Sequence, residues 1–215
     1  MSQKVKVWDF AVRFFHWSQP VLLIGLWYTG EEGLMAQHQL LAYSLLALIA
    51  ARVYWGLFGN RYARFSTFSA TPTTAFRYLR KPGAVNGHNP ASFYMIVLLL
   101  TLLLLQLLTG MATFDNSYTS DGPLVSLLPS ALVDIASDWH KLNFDLLMIA
   151  IFVHVFAAIW HSLRLHNVIG TMITGKDKIV DEPQELRSSW PYFAVVVALL
   201  IGLYLWQGHK LVALL

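Results

Sequence analysis

Residues 139–160 read WHKLNFDLLMIAIFVHVFAAIW. The stretch is apolar and twenty-two residues long, enough for an α-helix to cross a hydrocarbon core of ~30 Å. His140 and His154 stand fourteen residues apart in it. Fourteen residues is nearly four helical turns, so both rings leave one face, ~21 Å apart along the axis. An ionisable side chain inside a span is costly and marks a functional site. Two on one face, one near each leaflet, point to two stacked cofactors.

The rest of the chain agrees. Of its 215 residues, 56% are hydrophobic, 14% aromatic and 13% charged, which is too apolar for an ordinary soluble domain. Cysteine is absent. That excludes disulfides, thiolate-held iron–sulfur clusters and covalently attached c-type haem. The net charge of +3 is no argument for nucleic acid, because the charges are sorted by side of a membrane.

Runs of about twenty apolar residues predict five spans, near residues 12–29, 40–58, 91–114, 139–163 and 191–206. Gly30, Gly59, Asn60, Gly110 and Gly208 punctuate their ends. Asn89 and Pro90 read as an N-cap followed by proline at the first helical position. The first span lacks a short apolar region followed by a small-residue cleavage motif, so it is read as a span and not as a signal peptide.

Basic residues then set the orientation. Thirteen of the fifteen lie on alternate connections: Lys4, Lys6, Arg13, then Arg52, Arg61, Arg64, Arg77, Arg80, Lys81, then Arg164, Lys176, Lys178, Arg187. The opposite side has Glu31, Glu32, Asp115, Asp121, Asp134 and Asp138 against Lys141 and Lys210. The positive-inside rule places the N-terminus in the cytoplasm and the C-terminus outside. Trp27, Trp139 and Trp206 fall near the outer ends and Trp55, Trp160 and Trp190 near the inner ends, as interface residues should.

Two connections are long enough to carry structure. In TPTTAFRYLRK, Thr71 would cap a short helix with Phe76, Tyr78 and Leu79 in the interface and Arg77, Arg80 and Lys81 at lipid phosphates; a plain loop is the alternative. In SLLPSALVDIA, Leu127, Leu128, Leu132 and Ile135 would cap the bundle or meet a partner.

Depth sorts the eight histidines. His38 begins span two level with His140, and His16 lies at the depth of His154. The pairs are therefore His38 with His140 and His16 with His154. Two imidazoles per iron in a helix bundle suit b-type haem. A lone histidine is as often a helix–helix hydrogen-bonding residue; four matched by depth in pairs are not. His161, seven residues after His154, is a candidate for a propionate, a quinone or a substitute ligand. Arg52, fourteen residues after His38, would neutralise propionates or simply be a positive-inside residue. His88 suits a loop or cap, His166 and His209 take no role, and span five carries no histidine.

RFFHW at 13–17, ARVYWGLFGNRYARF at 51–65, GHNPASF at 87–93 and WHKLNFDLLMIAIFVHVFAAIWH at 139–161 resemble the bacterial cytochrome b561 and nickel–iron hydrogenase b-type cytochrome family. The resemblance covers roughly residues 8–178. It implies an all-α integral membrane four-helix bundle with two b haems, ligated by His16, His38, His140 and His154. It also implies electron exchange between the quinone pool and a periplasmic redox partner, in a bacterial inner membrane. The chain departs from the pattern by its fifth C-terminal transmembrane helix, WPYFAVVVALLIGLYLWQ. Residues 1–178 then form the di-haem domain and 179–215 a linker with that extra helix. The departure leaves open whether the partner is a hydrogenase-like enzyme or a c-type cytochrome.

The expected function is transmembrane electron transfer. Three other classes share these features: a metal-ion transporter, a haem-containing membrane anchor subunit, and a superoxide:quinone oxidoreductase. A transporter would need intramembrane carboxylates, and Asp145 alone lies well inside a predicted span. Superoxide chemistry would need basic residues outside, where acidic ones prevail.

Overall fold

The computed structural model describes residues 5–67, 70–82, 89–114, 121–177 and 186–215. His88, Lys4, Asp115 and Lys178 lie outside the described residues.

Helix α1 spans Phe10–Glu31. Asp9 starts it, with its Oδ1 accepting from Val12 N at 2.9 Å, which satisfies one of the free donors of the first turn. Pro20 sits inside α1. It has no N–H, so the carbonyl of His16, one turn back, loses its intrahelical donor. The chain turns through Gly33, whose φ of +68° is a left-handed conformation that a Cβ disfavours. Leu34 N returns to Thr29 O at 2.9 Å. Helix α2 (Met35–Phe58) follows, and so short a connection makes α1 and α2 an antiparallel hairpin.

Helix α3 (Pro72–Arg80) replaces the plain loop that the sequence left open. Thr71 Oγ1 caps it by accepting from Thr74 N at 3.3 Å. Phe76 and Leu79 are exposed, with the Arg80 guanidinium 4.4 Å from the Phe76 ring centre, as suits an interfacial helix. Helix α4 (Pro90–Met111) begins at Asn89, whose Oδ1 accepts from Ser92 N at 2.8 Å.

Helix α5 runs Ser130–Arg164. The sequence placed its start near Trp139, at the edge of the apolar run. It begins nine residues earlier, because Val133, seven residues before His140, is buried on the same face. Leu127, Leu132 and Ile135 are exposed. Helix α6 (Val168–Thr174) leads into strand β2 (Lys176–Asp177), which pairs antiparallel with β1 (Val5–Lys6). This two-stranded clasp was not expected from the sequence.

Helix α7 (Trp190–Leu203) continues through a π-helical turn, Tyr204–Gly208, into α8 (His209–Val212). Gly208, expected as a stop, lies within this continuous segment. Among the described residues four helices are long and apolar enough to cross a membrane: α2, α4, α5 and the segment Trp190–Val212. Helix α1 is 22 residues long but carries Arg13, His16, Gln19 and Glu31.

Lipid supplies no hydrophobic drive between helices, so close packing and polar bonds join them. Leu45 and Ile49 of α2 pack with Leu103 and Leu107 of α4 and Leu147 of α5. At the N-terminal end of α1, Ala11 and Val12 pack with Ala51 and Trp55 of α2 and Tyr192 of α7. Asp9 fixes that end. Its Oδ2 accepts from Trp55 Nε1 at 2.9 Å and Asn60 Nδ2 at 2.7 Å. Asn60 Oδ1 in turn accepts from Arg187 N at 2.8 Å. The histidine-free α7 thus docks on the α1–α2 hairpin.

Candidate functional site

The structure brings the four predicted histidines together as two pairs. The rings of His38 and His140 have centres 6.5 Å apart and planes 77° apart. Those of His16 and His154 are 6.2 Å and 57° apart. Each pair joins side chains from different helices: α2 with α5, and α1 with α5. His140 and His154 share one face of α5 with Val133, Asn143, Leu147 and Ala150, which are its buried residues.

Two matching arrangements hold the first pair. His38 Nδ1 lies 2.9 Å from Leu26 O and 3.3 Å from Thr29 Oγ1. His140 Nδ1 lies 3.0 Å from Gln106 O and 3.2 Å from Thr109 Oγ1. In both cases the carbonyl comes three residues before the threonine, on the helix paired with the histidine's own. A carbonyl oxygen only accepts, so Nδ1 carries the proton and donates. The unprotonated Nε2 then carries a lone pair, the form in which an imidazole can accept a hydrogen bond or ligate a metal. In His140 that lone pair takes a hydrogen bond from Gln106 Nε2 at 3.2 Å. Gln106 is itself held by Asn143, whose Nδ2 donates to Gln106 Oε1 at 2.6 Å and to Leu102 O at 3.0 Å.

Glycine permits this approach. A Cβ on Gly110 would come 2.7 Å from His140 Cε1, whereas one on Gly30 would stand 3.4 Å from the His38 ring. Gly110→Ala is expected to displace His140 and lower the midpoint of thermal unfolding in detergent. Gly30→Ala, at ordinary contact distance, is expected to leave it unchanged.

The second pair is differently supported. His16 packs edge-on against Trp17, with ring centres 5.0 Å apart. Its flanks are pinned to α6, where Arg13 Nη1 donates to Ile173 O at 2.8 Å. His16 Nδ1 is buried and has no partner among the described residues. His154 makes no hydrogen bond among them.

His161 sits apart from both pairs. Its Nε2 lies 2.9 Å from Tyr78 Oη and its Nδ1 lies 3.2 Å from His166 O. The carbonyl takes the Nδ1 proton, so Tyr78 donates to Nε2. Both ring nitrogens are therefore engaged by protein. Burial pushes the Tyr78 phenol above its ordinary pKa, which keeps it protonated as that donor. Arg52 is 4% exposed. Its guanidinium carbon lies 4.9 Å from the Phe65 ring centre, and Nη1 has no partner among the described residues. His166 meets Asp177 at 3.0 Å. Among the described residues no three His, Cys, Asp or Glu side chains converge on one point.

Sequence reasoning missed Thr29, Thr109, Gln106, Asn143 and Tyr78. One signal was present: Thr-Gly occurs in two of the apolar runs, at 29–30 and at 109–110, each ahead of a histidine-bearing helix.

Residues 7–175 match the family described as prokaryotic cytochrome b561. Two curated relatives are each described as a probable Ni/Fe-hydrogenase B-type cytochrome subunit. That of Rhizobium leguminosarum bv. viciae is 26% identical over 216 residues, covering 81% of this chain and 89% of that protein. That of Cupriavidus necator is 25% identical over 210 residues, covering 79% and 85%. No solved structure matches the chain. The matched segment takes in α1 to α6, with both histidine pairs, and ends before α7. By that match the chain belongs to the prokaryotic cytochrome b561 family.

Proposed function

We propose that this chain carries electrons across a bacterial inner membrane by holding two b haems, one between His38 and His140 and one between His16 and His154, and so links a periplasmic redox partner to quinone. Family membership gives membrane electron transfer and haem b; the count, the ligands and the two partners are the proposal. The ring spacing carries it. Two imidazoles that shared one metal at about 2.0 Å from each nitrogen would have ring centres about 6 Å apart. The pairs stand at 6.2 and 6.5 Å. Buried polar atoms without partners support the same reading. Arg52 Nη1 suits a propionate carboxylate, and it lies on the His38 face of α2, ~21 Å further along the helix.

Haem, when bound, would supply the one-electron chemistry, with His38 and His140 holding one and His16 and His154 the other. The protein's part is to fix the two pairs at different depths. Helix α5 does this with one rigid rod, setting His140 and His154 ~21 Å apart. Helix α1 serves as a further span, and the sorting of thirteen basic residues onto alternate connections supports a cytoplasmic N-terminus and a periplasmic C-terminus. The relatives' descriptions favour a hydrogenase-like partner, which in this reading docks on the outer side. Glu31, Glu32, Asp121, Asp134 and Asp138 would there attract a basic patch and speed encounter.

At the cytoplasmic end, Tyr78 and His161 form a half-buried hydrogen-bonded pair that a quinone would meet. Tyr78 donates to His161 Nε2, so its own oxygen still accepts a hydrogen bond from a quinol hydroxyl. Tyr78→Phe is expected to slow quinol-analogue oxidation roughly tenfold or more, the scale of a lost proton-transfer partner, with the haem spectrum unchanged. Full turnover in that variant would contradict the quinone assignment. Failure of a quinol analogue to reduce wild-type haem would contradict the link to quinone.

A further inference from the structure

The two histidine pairs differ in one respect that bears on redox order. Both imidazoles of the His38–His140 pair donate Nδ1–H to protein oxygens, and each has two. His38 faces Leu26 O at 2.9 Å and Thr29 Oγ1 at 3.3 Å. His140 faces Gln106 O at 3.0 Å and Thr109 Oγ1 at 3.2 Å. The hydroxyl protons are spent elsewhere. Thr29 Oγ1 donates to Gly25 O at 2.7 Å, and Thr109 Oγ1 to Leu105 O at 2.7 Å. Each threonine therefore turns a lone pair to the imidazole. The same device appears twice, on α1 and on α4, which helix capping or packing alone does not call for. The His16–His154 pair has nothing equivalent: His16 Nδ1 is buried and unpartnered, and His154 makes no hydrogen bond among the described residues.

A donated Nδ1–H makes an imidazole more basic and more electron-rich at Nε2. An electron-rich axial ligand stabilises ferric over ferrous iron and lowers the reduction potential; hydrogen bonding around a ligand is one of the levers a protein has on a haem. Fixed charge acts the same way. Glu31, Glu32, Asp134 and Asp138 stand at the His38–His140 end against Lys141, and Arg13, Arg61, Arg64 and Arg164 at the other against Asp9 and Asp177. Negative charge favours the oxidised, more positive state, and positive charge the reduced one.

We propose that Thr29 and Thr109 are positioning residues that set a haem held by His38 and His140 at a lower potential than one held by His16 and His154. This rests on the two-haem reading and goes beyond it by fixing the order of the potentials. The order favours one-electron flow from the His38–His140 end to the His16–His154 end. A donor is then oxidised at the acidic face and an acceptor reduced at the basic face.

The test is an optical redox titration of the purified full-length protein, with haem counted on the same sample. Wild type should show two one-electron steps. Thr29→Val and Thr109→Val should each raise the lower step and leave the upper one in place, with haem content kept. Thr109→Ala should shift it in the same direction, which separates the lost hydroxyl from side-chain size. Thr109→Ser, which keeps the hydroxyl, should titrate like wild type. Movement of the upper step, or of neither, overturns the proposal. So does loss of haem from both the valine and alanine variants, because the hydroxyl would then hold the ligand and not tune it. Fewer than two haems per wild-type chain sinks the two-haem reading itself, and the haem count tells that failure from the others.

Discussion

Alanine at His140 or at His38 is expected to remove one of two haems and leave the other. Alanine at His16 or His154 should do the same for the other site. The expectation follows from the pairing: no histidine is shared between the pairs, and each pair draws on a different set of helices. An iron with one imidazole removed loses half of its protein ligation. Water or lipid cannot replace a nitrogen donor held in place by Gln106 O or Leu26 O. The four single variants should each fall from two haems per chain towards one, and the double variant His140→Ala with His154→Ala to none. His161 should not rescue His154→Ala, because it stands seven residues further along α5, ~10 Å away from the level of His16 and His154. Haem content by pyridine haemochrome, with a size-exclusion profile to show that each variant folds, checks all of this. Four single variants with full haem content would dismiss the ligand assignment.

Asp9→Ala should cost about 3 kcal/mol of stability. It removes the cap of α1, worth ~1 kcal/mol, and takes the acceptor from two buried donors at ~1–3 kcal/mol each before relaxation, Asn60 Nδ2 keeping a longer bond to Arg187 O at 3.3 Å. Those donors are Trp55 Nε1 and Asn60 Nδ2, at 2.9 and 2.7 Å from the carboxylate. The effect should spread, because Asn60 also holds Arg187 N ahead of α7. Asp9→Asn keeps an acceptor oxygen but must turn an amide N–H towards one of the donors, so it should fall between. The midpoint of thermal unfolding in detergent measures the order: wild type, then Asn, then Ala. An alanine variant as stable as wild type would mean that Asp9 does not fix the α1–α2 junction.

Much of the site was legible because helix geometry is fixed. Fourteen residues between His140 and His154 set a face and a separation whatever the surroundings. The Asn89 and Thr71 caps were legible for a similar reason, since local side chain–backbone bonds need no tertiary context. The start of α5 was not, because hydropathy marks where the apolar run ends and not where the helix does; Ser130–Asp138 is helical while Leu132 and Ile135 remain exposed. Thr29 and Thr109 act through their own hydroxyl oxygens on imidazoles of a neighbouring helix, and a single sequence carries no sign of which oxygen a ring will meet. Tyr78 depends on α3 folding back to reach the end of α5, and Asp9 on Trp55, forty-six residues away. These are contacts between elements, and the hydrophobic period of any one element is silent about them.

The most direct test of the central claim is the haem count of the wild-type protein, purified from membranes in mild detergent and reduced with dithionite. Two b haems per chain, with sharp α and Soret bands of bis-histidine type, is the predicted result. A folded, colourless protein, or one with a single haem, would contradict it.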